Sequence, residues 1–313
     1  MKIKRKDLLS LRDITREEIE GIFNLALSFK EVLKRPIPKV PALRGKTVCN
    51  LFFEPSTRTR SSFELAEKRL SADTLNFSAS TSALTKGETT LDTLKNIGAM
   101  RVDAFVIRHS FAGAPHFLAK NTSASVINAG DGTDEHPTQA LLDIFTIKEK
   151  KKKLRGLKVL IIGDILHSRV ARSNIYGMIK MGMEVNLCGP PTLLPKEFES
   201  LGCRIFYNLD EVLPRADIIM ALRVQKERGG KSLIPSFREY RKIYGITADR
   251  LKYIKENALI MHPGPVNWGV ELDYDVLDLD KNVILDQVEN GVAIRMAVLY
   301  SLIGPGKEKI EET

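Results

Sequence analysis

The sequence predicts an α/β protein of two doubly wound domains with parallel sheets. Three observations carry that expectation. Short apolar runs alternate with longer segments of helical periodicity along most of the chain. Strands separated by helices pair in parallel, because a crossover helix returns the chain to the same end of the sheet. The 313 residues, 43% of them hydrophobic, suffice for two cores. A basic run at 148–155 (KEKKKKLR) and Gly156 separate two halves of similar plan, so the expected domains are 1–150 and 151–290.

Residues 12–34 read as an amphipathic helix, since Ile19, Ile22, Phe23, Leu25, Ala26 and Phe29 fall near helical spacing. PIPKVPALRG then ends it. The first half continues as strand TVCNLFF, helix 56–70, strand TLNFS, helix 89–100, strand DAFVIR, helix 115–120, strand ASVINA and helix 137–150. The second half runs LKVLIIGD, helix 169–180, EVNLCG, helix 196–201, CRIFY, helix 209–214, ADIIMALR and NALIMHPG, before a last apolar helix at 292–302. No short-period repeat interrupts this order.

Composition excludes several classes. The N-terminal apolar run is broken by Arg12, Asp13 and Arg16, unlike a signal peptide, and no stretch approaches the roughly 20 apolar residues of a spanning helix. A cytoplasmic protein without membrane association is expected. Cys49, Cys188 and Cys203 have no metal-ligand spacing and read as buried small hydrophobes, so neither disulfide nor metal is expected. The net charge of +9 suits an anionic substrate or nucleic acid, but the Lys run lacks aromatic neighbours, which argues against a nucleic-acid surface.

In an open parallel sheet, ligands collect beyond the carboxyl ends of the strands. After TVCNLFF come Glu54, Pro55 and then Ser56-Thr57-Arg58-Thr59-Arg60, at the start of a predicted helix. Free N–H groups and the positive end of the helix dipole favour an anion there, hydroxyls add donors, and Arg58 adds a charged fork. The plain alternative is a Ser N-cap with solvated arginines. Arg108 closes the third strand and needs either an anionic ligand or a carboxylate partner. The fourth strand leads into Asp131-Gly132 and then Glu135-His136-Pro137-Thr138-Gln139; Pro137 suits a first helical turn, which puts His136 and Gln139 together at that helix's N-terminus. In the second half, Arg169 and Arg223 with Gln225 follow strands; they are donors suited to two carboxylates, or else they form ordinary ion pairs.

STRTR at 56–60, Arg108, HPTQ at 136–139 and HPGP at 262–265 together resemble the aspartate/ornithine carbamoyltransferase family, from about residue 6 to 304. The resemblance implies two α/β domains with the active site in the cleft between them, the first holding carbamoyl phosphate and the second the amine substrate. It implies that a helix at about 291–304 packs back on the first domain. Ser56, Thr57, Arg58, Thr59 and Arg108 would hold the phosphate; Thr59, Arg108 and His136 the carbonyl oxygen; and Gln139, with backbone carbonyls near Gly264 and Pro265, the carbamoyl NH2. Ser82 and Lys86, in the polar stretch SASTSALTKGE, would reach a neighbouring subunit's site within a homotrimer. Some relatives also assemble with dihydroorotase or regulatory chains. HPGP, where the ornithine branch carries HCLP, and the arginines at 169 and 223 favour L-aspartate, whose two carboxylates they match, over cationic ornithine. No cofactor is implied. A nicotinamide dehydrogenase fits the strand plan, but GDILHS lacks the G-x-G-x-x-G turn.

Overall fold

A computed structural model describes residues 5–78, 89–224 and 236–305. The chain divides into two compact units. The described residues up to Thr138 and from Glu289 onward form one; Gln139–Val288 form the other.

The first unit opens with α1 (Arg16–Leu33). It starts later than residue 12 because Thr15 and Glu18 close a capping box, the Thr15 hydroxyl accepting from the Glu18 N–H at 3.2 Å and the Glu18 carboxylate accepting from the Thr15 N–H at 2.9 Å. Residues before the cap instead extend along the sheet, where the Leu8 N–H donates to Val126 O and Leu8 O accepts from the Asn128 N–H. The sheet consists of β1 (Thr47–Phe52), β2 (Asp73–Ser78), β3 (Ala104–His109) and β4 (Ser125–Asp131), all parallel and ordered β2-β1-β3-β4. Its crossovers carry α2 (Thr57–Arg69), α3 (Thr90–Gly98) and α4 (Ala114–Ala119). Leu51, Phe105, Ile107, Val126, Leu94 and Leu118 share one core cluster on this sheet, and all are buried.

Next come α5 (Pro137–Lys151) and the second sheet: β5 (Lys158–Ile162), β6 (Glu184–Cys188), β7 (Arg204–Phe206), β8 (Ile218–Ala221) and β9 (Leu259–Met261), parallel and ordered β7-β6-β5-β8-β9. α6 (Arg169–Lys180) joins β5 to β6. Two expected helices are tighter or shorter than read: 196–201 is a 3-10 helix, and 209–214 is α7 (Leu209–Val212) followed by a 3-10 turn. Two short helices escape the periodicity reading, α8 (Phe237–Tyr244) and α9 (Ala248–Leu251). With eight and four residues, they offer too few apolar positions for a period to emerge; α8 buries Tyr240 and Tyr244, four residues apart.

The last helix, α10 (Ile284–Ile303), begins well before its apolar stretch, because its first turns are polar. From Glu289 on it belongs to the first unit. Tyr300 meets Phe29 edge-on with centroids 5.8 Å apart, Arg295 Nη1 donates to Ser62 Oγ at 2.9 Å, and Lys30 Nζ donates to Asn290 Oδ1 at 2.8 Å.

The two strand orders have one consequence for function. In the first sheet β1 leads outward to β2 and β3 leads the other way to β4, so the order reverses between adjacent β1 and β3. In the second sheet the reversal lies between β5 and β8. At such a reversal the loops leaving two neighbouring strands diverge and open a crevice at their carboxyl ends.

Beneath α2 lies a buried polar contact. Glu67 is fully buried, and its Oε2 accepts from Asn50 Nδ2 at 3.0 Å, while the same amide donates to Asn76 Oδ1 at 3.1 Å. Burial pushes the Glu67 carboxyl up to about 7, partly offset by the hydrogen bond from Asn50. The fold therefore holds a proton there that the unfolded chain releases near 4.5, and stability falls as pH rises across that interval. Glu67→Gln is expected to flatten this slope, gaining on the order of 2–3 kcal/mol over the wild type at pH 8 and little at pH 4, in denaturant titrations at both values. An unchanged slope would contradict the assignment.

Candidate active site

The first unit places Ser56–Thr59 and Arg108 at the tips of β1 and β3, the pair at which its sheet order reverses. β1 ends at Phe52, and the Phe53 N–H still donates to Arg108 O at 2.8 Å, so the tips of β1 and β3 stay paired as their side chains diverge. Ser56 is the N-cap residue of α2, in extended conformation, and its side chain makes no capping hydrogen bond. The capping alternative open from sequence is thus not realised, and the hydroxyl is not spent on the helix. Thr57 and Arg58 are exposed in the first turn, with Thr59 half-buried behind them.

Arg108 sits one strand over. Its Nη2 donates to Glu54 Oε1 at 2.9 Å and its Nη1 to Ala129 O at 3.2 Å, so a carboxylate of the same tip holds it. The pair is partly buried, where charge-assisted bonds are strong yet exchangeable for another anion.

His136 is buried and follows a turn anchored on both sides. Asp131 accepts from Asn128 Nδ2 and the Glu135 N–H through Oδ1, and from the Gly113 N–H through Oδ2. Burial raises the Asp131 carboxyl above its ordinary range, against these hydrogen bonds. Glu135, fully buried, takes hydrogen bonds from the Ser10 hydroxyl, the Leu11 N–H (2.8 Å) and Arg12 Nε (3.2 Å). The N-terminal segment thus clamps the residue preceding His136.

In the second unit, Gln139 lies in the first turn of α5 and its Nε2 donates to Asp143 Oδ1 at 2.9 Å. Arg169 opens α6 after the β5 tip and is buried; Ser168 caps that helix by accepting from the Ala171 N–H, and the turn before it is fixed by Asp164, which accepts from the His167 N–H. Arg223 follows the β8 tip, which remains tied to β5 by the Leu222 N–H donating to Ile162 O at 2.8 Å. Arg169 and Arg223 thus come from the two strands flanking the second reversal. Glu271 holds the next residue, accepting from the Val224 N–H at 2.7 Å while also accepting from the Asn267 side chain and N–H. Burial raises the Glu271 carboxyl, with those hydrogen bonds acting against it. Gly264 and Pro265 lie in the loop after β9, whose Gly264 N–H donates to His262 Nδ1 at 2.8 Å, and Gly264 has φ 69°, a value that suits glycine. Ser82, Lys86 and Gln225 lie outside the described residues.

A family model described as aspartate/ornithine carbamoyltransferase, carbamoyl-P binding domain, matches residues 6–149, and one described as the Asp/Orn binding domain matches 155–302. The chain belongs to the aspartate/ornithine carbamoyltransferase family. It is 60% identical over 302 residues to an aspartate carbamoyltransferase catalytic subunit of Syntrophobacter fumaroxidans, covering 96% of this chain and 99% of the relative. It is 57% identical to one from Syntrophotalea carbinolica, over 100% of this chain and 99% of that one. Among solved structures it is similar to aspartate transcarbamoylase from Trypanosoma cruzi in complex with N-(phosphonacetyl)-L-aspartic acid, with a TM-score of 0.88, 31% identity and coverage of 96% and 97%. It is also similar to the catalytic subunit from M. jannaschii, at TM-score 0.82, 35% identity and coverage of 96% and 98%.

Sequence reasoning missed five supporting carboxylates and amides of this carbamoyltransferase chain: Glu54, Glu135, Asp143, Glu271 and Gln287. Glu54 and Glu135 adjoin recognised motifs, and Asp143 stands four residues after Gln139 on one helix, so spacing could have flagged them. Glu271 reaches Val224, and Gln287, whose Nε2 donates to Asp143 Oδ1 at 2.7 Å, reaches Asp143, through tertiary structure, and no local pattern announces either contact. Glu54→Gln tests whether an incoming anion competes with this carboxylate for Arg108. Inorganic phosphate is expected to protect this variant against heat at concentrations several-fold lower than the wild type requires, and a thermal-shift titration that finds weaker protection would refute that competition.

Proposed function

We propose that the chain transfers the carbamoyl group of carbamoyl phosphate to the amine of L-aspartate, giving N-carbamoyl-L-aspartate and phosphate, an early step of de novo pyrimidine (UMP) synthesis. The observation that carries this reading is chemical: the reversal of the first sheet bears hydroxyls, a helix N-terminus and Arg108 suited to a phosphate, and that of the second bears Arg169 and Arg223 suited to two carboxylates. It is supported by full-length relatives named for this activity and by Trypanosoma cruzi structures described as complexes with carbamoyl phosphate and aspartate, and with carbamoyl aspartate and phosphate.

Residues 1–150 form the carbamoyl-phosphate-binding domain in this reading, with the C-terminal helix, and 151–290 the aspartate-binding domain. Ser56, Thr57, Arg58, Thr59 and Arg108 bind the phosphate. On ligand entry Arg108 exchanges Glu54 for the substrate anion. Thr59, Arg108 and His136 polarise the carbamoyl carbonyl, and Gln139 with the backbone near Gly264 and Pro265 receives the NH2. Arg169, Arg223 and Gln225 hold the aspartate carboxylates, and Ser82 and Lys86 are supplied by a neighbouring chain of a homotrimer working in the cytoplasm.

The neutral amine attacks the carbamoyl carbon and forms a tetrahedral oxyanion, which collapses by breaking the C–O bond to phosphate. The phosphate leaves with the electron pair and takes the amine proton, so no side chain acts as a strong base. Holding the two reactants together contributes roughly 7–11 kcal/mol and each oxyanion donor about 2.7–4 kcal/mol.

Arg58→Ala is expected to lower turnover by at least about a hundredfold, with circular dichroism and thermal midpoint unchanged. Near-normal turnover would overturn the phosphate assignment. Offered carbamoyl phosphate with either L-aspartate or L-ornithine, the wild type is expected to form product only with aspartate; ornithine carbamoylation would overturn the acceptor assignment.

A further inference from the structure

We infer that Asp143 is a positioning residue that selects the carbamoyl donor by fixing which end of the Gln139 amide is offered to it, an inference that rests on Gln139 facing the carbamoyl NH2. A side-chain amide has a donor end and an acceptor end of nearly the same shape, so what it offers a ligand is set by what grips its other end.

Asp143 is fully buried one turn after Gln139. Its Oδ1 accepts from Gln139 Nε2 at 2.9 Å and from Gln287 Nε2 at 2.7 Å, and its Oδ2 accepts from Asn174 Nδ2 at 2.8 Å. Two of these amides are fixed independently by backbone groups whose polarity cannot change. Gln287 Oε1 accepts from the His262 N–H at 3.0 Å, so its NH2 end must face Asp143. Asn174 Nδ2 also donates to Val170 O at 3.0 Å, so its NH2 end likewise faces Asp143. Both oxygens of Asp143 are therefore acceptors. Gln139, sharing Oδ1 with Gln287, must present its own NH2 there, and its carbonyl Oε1 is the end left for a ligand.

A carbonyl oxygen so held accepts a hydrogen bond from the NH2 of carbamoyl phosphate and gains nothing from the methyl of acetyl phosphate, which has the same shape. The Gln287 arm ties the same carboxylate to the backbone at His262, two residues before Gly264. One buried carboxylate thus orients the amide and braces the loop, both assigned to the carbamoyl NH2.

Asp143→Leu removes both acceptor oxygens, so an amide oriented by them alone loses its fixed sense. Gln139 is the one of the three without a backbone tie among the described residues. Released, it presents either end, and its NH2 end cannot accept from the carbamoyl NH2. Dissociation constants for carbamoyl phosphate, acetyl phosphate and inorganic phosphate, measured by calorimetry on wild type and variant, test this. The wild type is expected to prefer carbamoyl over acetyl phosphate, and Asp143→Leu to lose about tenfold of that preference while acetyl phosphate and inorganic phosphate change by less than about twofold. A purely structural role would move all three together; that result, or an unchanged preference, overturns the inference. Wild type that binds none of the three overturns the reading of the first domain and this inference with it, whereas wild type that binds carbamoyl and acetyl phosphate equally overturns this inference alone. Should Asp143→Leu fail to fold, Gln139→Met, which keeps the length and removes both ends of the amide, supplies the second test: the preference for carbamoyl over acetyl phosphate is expected to fall about tenfold, and an unchanged preference overturns the inference.

Discussion

Parallel strand pairing with a reversal of order is the constraint on which the rest of this protein depends. Every strand of a parallel sheet ends at the same edge, but only where the order turns back do neighbouring loops part rather than pack together. β1 and β3 form that pair in the first sheet, β5 and β8 in the second. Ser56 to Thr59 and Arg108 issue from the first pair, Arg169 and Arg223 from the second. Their positions follow from the hydrogen-bond register of the sheets, which is why chemically different donor sets sit in equivalent places in two units of different sequence.

A second layer keeps those tips in place. Asp131, Glu135 and Glu271 are buried carboxylates that receive backbone N–H groups, and Asp143 receives three side-chain amides. Burying a carboxylate is costly unless its lone pairs are filled, and here the donors that fill them belong to the loops that need fixing. The cost of desolvation and the rigidity of the site are two aspects of one arrangement. These residues thus hold the strand-end loops from within the protein.

Much of the fold was legible because its signals are local. Strands such as VLII and AFVI are continuous apolar runs, as buried parallel strands require, and STRTR and HPTQ stand directly at strand ends. What was not legible depends on distance along the chain. The start of α1 was read early because the capping box at Thr15 competes with an apolar pattern that continues upstream into the extended segment at Leu8–Leu11. α8 and α9 are too short for a period. Arg108 was read as needing an anionic ligand or a carboxylate partner; Glu54 adjoins STRTR, but it stands 54 positions away and the match between the two follows from the β1–β3 pairing. The Gln139–Asp143–Gln287 chain joins positions 148 apart, and no local motif contains it.

The division of labour between the two sheet reversals is the central claim, and calorimetric titration of Arg58→Ala and Arg169→Ala with carbamoyl phosphate, then with succinate as an unreactive dicarboxylate, addresses it most directly. The expected result is that Arg58→Ala no longer binds carbamoyl phosphate, whereas Arg169→Ala binds it as the wild type does and fails to bind succinate. Carbamoyl phosphate binding that survives in Arg58→Ala and disappears in Arg169→Ala would contradict it.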